Sequence, residues 1–361
     1  MGKTPIFQAQ LMNRSTVMKV FSYLIVFWLA AWGSLQAQDL HFTMFNMSPL
    51  TLNPAFTGAF EGTARVGGIY RDQWSSFISK EFVTPSFYVD VPLIRGLRKQ
   101  DWVGVGMMMF NDKAGTAKLR NVGTMFSAAY HAGLGKDGRH LLTFGFQGGN
   151  VQRRIDLKSQ DIKFEDELSA QTGGGGLGFG NGADRKLNDS QSYLDFNAGL
   201  MLRSRIDDKN QLEVGLSFYH LTQPKYNLAS SPNQDGTKRP MRMALHGKVQ
   251  HRFSDLLYLE PTLLLQSTGG ANEFAIQALA GYKINPDFTL RFGPGYRMGD
   301  AAQLIFGVDY QDLRVAASYD INVSSLSEVS NFQGGFEIAG YYILKIYKKP
   351  KISPAILCPQ L

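Results

Sequence analysis

The sequence predicts an all-β fold: a transmembrane antiparallel up-and-down β-barrel of about fourteen strands with both termini periplasmic. Three observations carry that expectation. The chain opens with an export leader, it then alternates apolar and polar residues in segments of about ten residues, and its connections are short and long by turns.

The leader is residues 1–37. Lys3, Arg14 and Lys19 give a positive start, Val20 to Trp32 gives an apolar core, and Leu35-Gln36-Ala37 precedes a cut before Gln38. Its apolar run is shorter than the roughly 20 residues of a spanning helix. Removing it lowers Lys+Arg from 37 to 34 against 30 acids, so the mature chain is near +4. That excess is too small to imply nucleic acid. The single cysteine, Cys358, excludes an internal disulfide, and no cysteine sits at the cut for a lipid anchor. Beyond the leader no apolar run is long enough for a membrane helix.

Residues 38–61 follow as a separate N-terminal segment. They show no sustained period, and Pro49 and Pro54 oppose a regular ladder. Asn53, Pro54 and Phe56 are its candidate residues for a periplasmic docking or plug role, with simple seating against the barrel base as the structural alternative.

The barrel is expected over 62–347. In the first strand Arg65, Gly67, Ile69 and Arg71 alternate with Ala64, Val66, Gly68 and Tyr70, because successive strand side chains point to opposite faces. Further strands are expected at 82–92, 102–112, 119–134 and 139–153, with 102–112 apolar on both sides through Met107, Met108 and Met109. Tyr193 to Leu202, Leu212 to Tyr219 and Arg239 to Phe253 alternate clearly. Segments 257–267, 274–283, 287–297, 302–310, 313–322 and 335–347 complete the set. A soluble β-sandwich alternates likewise, but its strands run nearer five or six residues and its long loops need not gather at one end.

Tight connections include 206–210, Ser254-Asp255, Asn285-Pro286 and Gln311-Asp312, whereas 154–191, 221–238 and 323–334 are long. Outer-membrane barrels have short periplasmic turns and longer outside loops. One strand face collects Arg65, Arg71, Glu213, Arg242, Lys248, Arg291 and Arg297, with His246 and Glu260. These are candidate lumen charges, since a charge facing lipid at mid-depth costs about 2–4 kcal/mol. They fit an aqueous channel or an internal plug equally well.

Local motifs for chemistry are weak. The Gly173 to Gly182 run lacks the strand, helix and acid of a dinucleotide site. Asp161, Glu165, Asp166 and Glu167 lack the spacing of a calcium loop. The six histidines make no HExxH, and there is no GxSxG. No catalytic residue, metal or cofactor is expected. The tail, 348–361, carries Lys348, Lys349 and Lys351 and then Pro354, so it leaves the barrel on the periplasmic side.

Asn53-Pro54-Ala55-Phe56-Thr57-Gly58, Arg65-Val66-Gly67 and Tyr70-Arg71-Asp72-Gln73-Trp74 resemble the opening of the PorP/SprF family of type IX secretion membrane proteins of the Bacteroidota. Asn111-Asp112-Lys113-Ala114-Gly115, Gly215 to Pro224 and Gly334-Gly335-Phe336-Glu337-Ile338 are similar to that family's pattern in the same order, and the likeness covers the mature chain. The 154–191 insertion is longer than the pattern. The resemblance implies a non-enzymatic outer-membrane barrel that supports export or surface attachment of a large adhesin-like secreted protein, in some members serving gliding motility. Its implied partners are that cargo, other type IX envelope proteins including periplasmic ones, and outer-membrane lipid, with no nucleic acid. A porin or transporter for a small or apolar solute is the alternative that the strands alone admit.

Overall fold

The computed structural model describes residues 40–74, 82–96, 98, 100–115, 119–135, 138–155, 190–226, 238–325, 327–328 and 330–346. The leader, the acidic cluster, the Gly-rich run and the tail after 346 lie outside them.

The wall consists of β1 (Ala64–Gln73), β2 (Phe82–Arg95), β3 (Trp102–Ala114), β4 (Leu119–Leu134), β5 (His140–Arg154), β6 (Ser190–Arg205) and β7 (Asn210–Tyr219). It continues through β8 (Arg242–Arg252), β9 (Leu257–Thr268), β10 (Ala271–Asn285), β11 (Phe288–Arg297), β12 (Ala301–Tyr310), β13 (Leu313–Asn322) and β14 (Gln333–Leu344). Every strand pairs antiparallel with its sequence neighbours, and β1 closes on β14 from Ala64↔Leu344 to Gln73↔Gly335. Closure leaves no unpaired edge along the seam, which a sheet in hydrocarbon requires. Among the described residues no helix is long and apolar enough to cross a membrane.

The barrel is apolar outside and polar inside. Phe126, Phe144, Phe146, Leu194, Phe292 and Phe306 are exposed on the outer face, while Arg65, Asp90, Gln147, Glu213, Gln277, Gln303 and Glu337 are buried. Strand alternation produces this directly: Asp90 is 1 % exposed beside outward Val89 and Val91.

One end of the barrel, the base, carries short connections. Gln311 and Asp312 alone join β12 to β13, with Gln311 at φ 53. At the β6–β7 turn Asn210, together with the Lys209 amide, donates to Asp207 and holds its carboxyl below the usual range. The opposite end, the loop end, carries the long connections 155–189, 220–241 and 323–332, together with the short 269–270 and 298–300.

Residues 40–62 run lengthwise through the lumen. A 3-10 turn (Phe45–Met47), one turn of α-helix (Pro49–Leu52) and a second 3-10 turn (Pro54–Phe56) give it shape, with both prolines at helix starts, where no N–H is needed. Among the described residues the segment enters at the loop end and leaves at the base. Leu40 accepts a hydrogen bond from Arg242, the first residue of β8 at the loop end, whereas β14 finishes at the base. The reason is the apolar content of the segment. Phe42, Met44 and Met47 pack on Ile69, Ile305, Ala316 and Ala339, Leu50 on Tyr88, Met108 and Met125, and Phe45, Leu52 and Phe56 on Met201, Tyr219 and Leu264. Burying each such side chain is worth about 1.5–3 kcal/mol. Met108 therefore faces the segment while Met109 faces outward, which explains why β3 is apolar on both sides.

Candidate functional site in the barrel lumen

The lumenal segment meets the inner charges along its whole length. At the loop end the Thr43 and Met44 amides donate to the two oxygens of Glu337, at 2.6 and 2.8 Å. The Thr43 hydroxyl donates to Asp320 at 2.8 Å and accepts from Arg71 at 2.9 Å. Arg71 pairs with Glu337 and, at 3.4 Å, with Asp320; Arg297 joins Asp320 at 2.9 Å and Asp300 at 2.5 Å. Gln277 donates to the Thr43 carbonyl at 2.7 Å, and Arg242 to the Leu40 carbonyl at 2.9 Å with its guanidinium over Tyr219. Buried charges persist in a low-dielectric interior only when paired and hydrogen-bonded, and this cluster meets that condition around one backbone residue.

Half-way down, Asn53 is fully buried. Its carbonyl oxygen accepts from the Ala55 amide at 2.9 Å, capping the turn that Pro54 starts. Its amide nitrogen faces the carbonyls of Leu200 and Leu216 and Nε2 of His246, at 3.2, 3.3 and 3.1 Å. The donation fixes Nε2 of His246 as an acceptor. Phe56 stacks on the His246 ring at 5.3 Å and lies under the Arg203 guanidinium at 5.2 Å. Glycines make the close fit possible. A Cβ at Gly145 would sit 2.3 Å from the Pro54 carbonyl carbon.

Toward the base, the Thr57 hydroxyl meets Ser127 at 2.8 Å and its carbonyl accepts from His131 at 2.8 Å. The Gly58 amide donates to Asp90 at 2.7 Å, and Arg65 clasps the same carboxylate at 2.9 and 2.7 Å. The indole of Trp102 donates to the Gly58 carbonyl at 2.9 Å and stacks on His131. Gly58 adopts φ +71, and a Cβ there would lie 2.6 Å from the Cα of Gly104, so chain and wall touch backbone to backbone.

All seven predicted lumen charges point inward, but they do not form one cluster. Arg65, Arg71, Arg242 and Arg297 reach the segment. Glu213 acts through Arg203, which it binds at 2.6 Å and which donates to the Ala59 carbonyl at 2.7 Å; Lys248 stands 3.8 Å from Glu213. Arg291 pairs with Glu260 and, at 3.6 Å, with Asp309 on the wall. A cavity of about 440 Å³ remains between this wall and Met44, Met47, Phe56 and Phe60, with Glu213, Lys248, Glu260, Arg291 and Arg314 in its lining. A second, of about 260 Å³, lies at the loop end beside Arg71, Asp112, Arg153 and Tyr226.

Sequence reasoning singled out neither Asp90 and Asp320 nor Arg203, His131 and Thr43, and met Glu337 only within the Gly334 to Ile338 stretch. A signal for Asp90 existed: it falls on the inward parity of β2, directly opposite Arg65. Among the described residues no group of three His, Cys, Asp or Glu side chains is placed to hold a metal.

The model of the type IX secretion system membrane protein PorP/SprF matches residues 34–342, the lumenal segment and the entire barrel together. The chain belongs to the PorP/SprF family. The family and the fold are those of a secretion-system membrane barrel, with other secretion components as its partners. No curated protein sequence matches the chain. Solved structures similar to this PorP/SprF chain are membrane barrels at low identity. A mutant of the TodX monoaromatic hydrocarbon channel is 12 % identical, with 83 % of this chain and 94 % of that one covered and a TM-score of 0.47. The Ralstonia pickettii toluene transporter TbuX is 12 % identical over 82 % and 93 % at 0.46, and the KdgM porin 8 % over 77 % and 98 % at 0.36. Nothing about solutes is carried from them to this PorP/SprF member.

Proposed function

We propose that this PorP/SprF barrel sits in the outer membrane after leader cleavage and supports export or surface attachment of a large adhesin-like secreted protein. In this reading it is a holding partner and not a conduit, and in some cells it serves gliding motility. The observation that carries it is the occupied lumen: residues 40–62 fill it lengthwise and tie to Glu337, Asp90 and Asn53's wall partners by buried hydrogen bonds. Passing a chain through the barrel would require breaking all of them.

The long connections 155–189 and 220–241 face outside in this reading, and binding surfaces concentrate on loops held by a rigid scaffold. The base turns and the Lys-rich tail face periplasmic components. Asn53, Pro54 and Phe56, all buried inside the lumen, act as the seat of a plug. Affinity purification from native membranes tests the proposal. Co-purification of a large secreted chain, lost when the outer connections are shortened, is the expected result, and a fully secreted and surface-bound cargo in cells lacking the barrel opposes it.

The 440 Å³ cavity favours a second reading, carriage of a small solute through a displaced segment. Solute uptake into liposomes by the purified barrel would favour that reading.

A further inference from the structure

The outer face of the β3–β5 wall carries a row of cations at the loop end. Lys113 stands directly opposite Arg120, and Arg120 directly opposite Arg154, so three adjacent strands place positive side chains at one level. Strand alternation puts the row on the outside, opposite to Asp112, Asn121 and Arg153, which line the loop-end cavity; Lys113, near the end of its strand, also borders that cavity. Arg120 and Arg154 are exposed, and among the described residues neither makes an ion pair. Among the described residues the acid on this level is Asp72 of β1, two strands from Lys113 and therefore about 10 Å away.

Like charges directly opposite each other destabilise a sheet. Elsewhere the outward loop-end positions are apolar, as at Tyr296, Phe336 and Met243, or uncharged, as at Ser190, Ser192 and Asn272, apart from Asp72, so a run of three cations is a local departure. Below it the surface changes in steps. Asn111, Val122 and Gln152 form the next level, Met109, Thr124 and Asn150 the one after it, and Met107, Phe126 and Gly148 the one below that, with Phe146 stacked on Phe196 nearby. Cations, then a mixed band that includes Asn111, Gln152, Thr124 and Asn150, then apolar surface is the order in which a phosphorylated lipid of the leaflet would present phosphate, polar headgroup and acyl chain.

We infer that Lys113, Arg120 and Arg154 bind the phosphate of an outer-leaflet lipid, the two guanidiniums gripping its oxygens and the lysine adding charge. This rests on placing the loop end outside, but binding in detergent does not depend on orientation or on secretion, so the two readings fail separately.

The test is native mass spectrometry of the full chain in detergent, titrated with diphosphoryl lipid A, its dephosphorylated form, or inorganic phosphate. Wild type retains the diphosphoryl lipid. Arg120→Gln with Arg154→Gln, and separately the dephosphorylated lipid, weaken retention by about tenfold or more, as loss of charged hydrogen bonds requires. Lys209→Gln at the base leaves it unchanged. Heat-dependent gel mobility confirms that the double variant is a folded barrel. Equal retention by the folded double variant, or of both lipids by wild type, overturns the assignment. Displacement of the lipid by an equal concentration of inorganic phosphate also overturns it, by making free phosphate the ligand.

Discussion

At the loop end the lumenal segment is held by charge, with Thr43 and Met44 donating to Glu337 amid Arg71, Arg297 and Asp320. Near the base it is held mainly by shape, with Gly58 against Gly104, Pro54 against Gly145 and neutral donors Asn53, His131 and Trp102, reinforced by the charged clasp Arg65–Asp90 and by Arg203 on the Ala59 carbonyl. The difference separates two jobs. A glycine-lined seat tolerates no sliding, whereas an ionic cradle keeps its grip while side chains adjust.

Four substitutions break or sharpen that contrast. Asp90→Ala strands a buried guanidinium and the Gly58 amide, and should lower stability by about 3–5 kcal/mol in urea unfolding monitored in detergent. Gly104→Val drives a side chain into the Thr57 carbonyl, with a cost of about 1–3 kcal/mol and faster hydrogen exchange confined to 53–58. Glu337→Gln keeps the volume and loses the charge, costing about 1–2 kcal/mol and raising exchange at 43–47 alone. If exchange rises at 53–58 as well, the two anchors are one unit and the contrast fails. Arg95→Ala removes an exposed donor to the Gly62 carbonyl at the base and should change stability by under about 0.5 kcal/mol.

Strand periodicity made the wall legible. All fourteen expected strands form, with β4 at Leu119–Leu134 as expected and others moved at their ends: β6 runs Ser190–Arg205 and β14 stops at Leu344. Those ends are set by what lies across the ladder, as when β6 pairs with β5 as far as Arg154↔Ser190, and not by the alternation within a strand. The lumen was less legible. Arg71 was visible as an inward charge, but its partner Asp320 is 249 residues away, a pairing that only barrel closure creates. The course of residues 40–62 left no period, because Phe42, Leu50 and Phe56 address three different patches of wall.

The most direct measurement is ion conductance of the purified full-length barrel in a planar bilayer. A lumen shut by residues 40–62 gives no steady current from wild type and a steady current once Asn53, Pro54 and Phe56 are all replaced by alanine. A large steady pore in the wild-type protein contradicts the closed lumen.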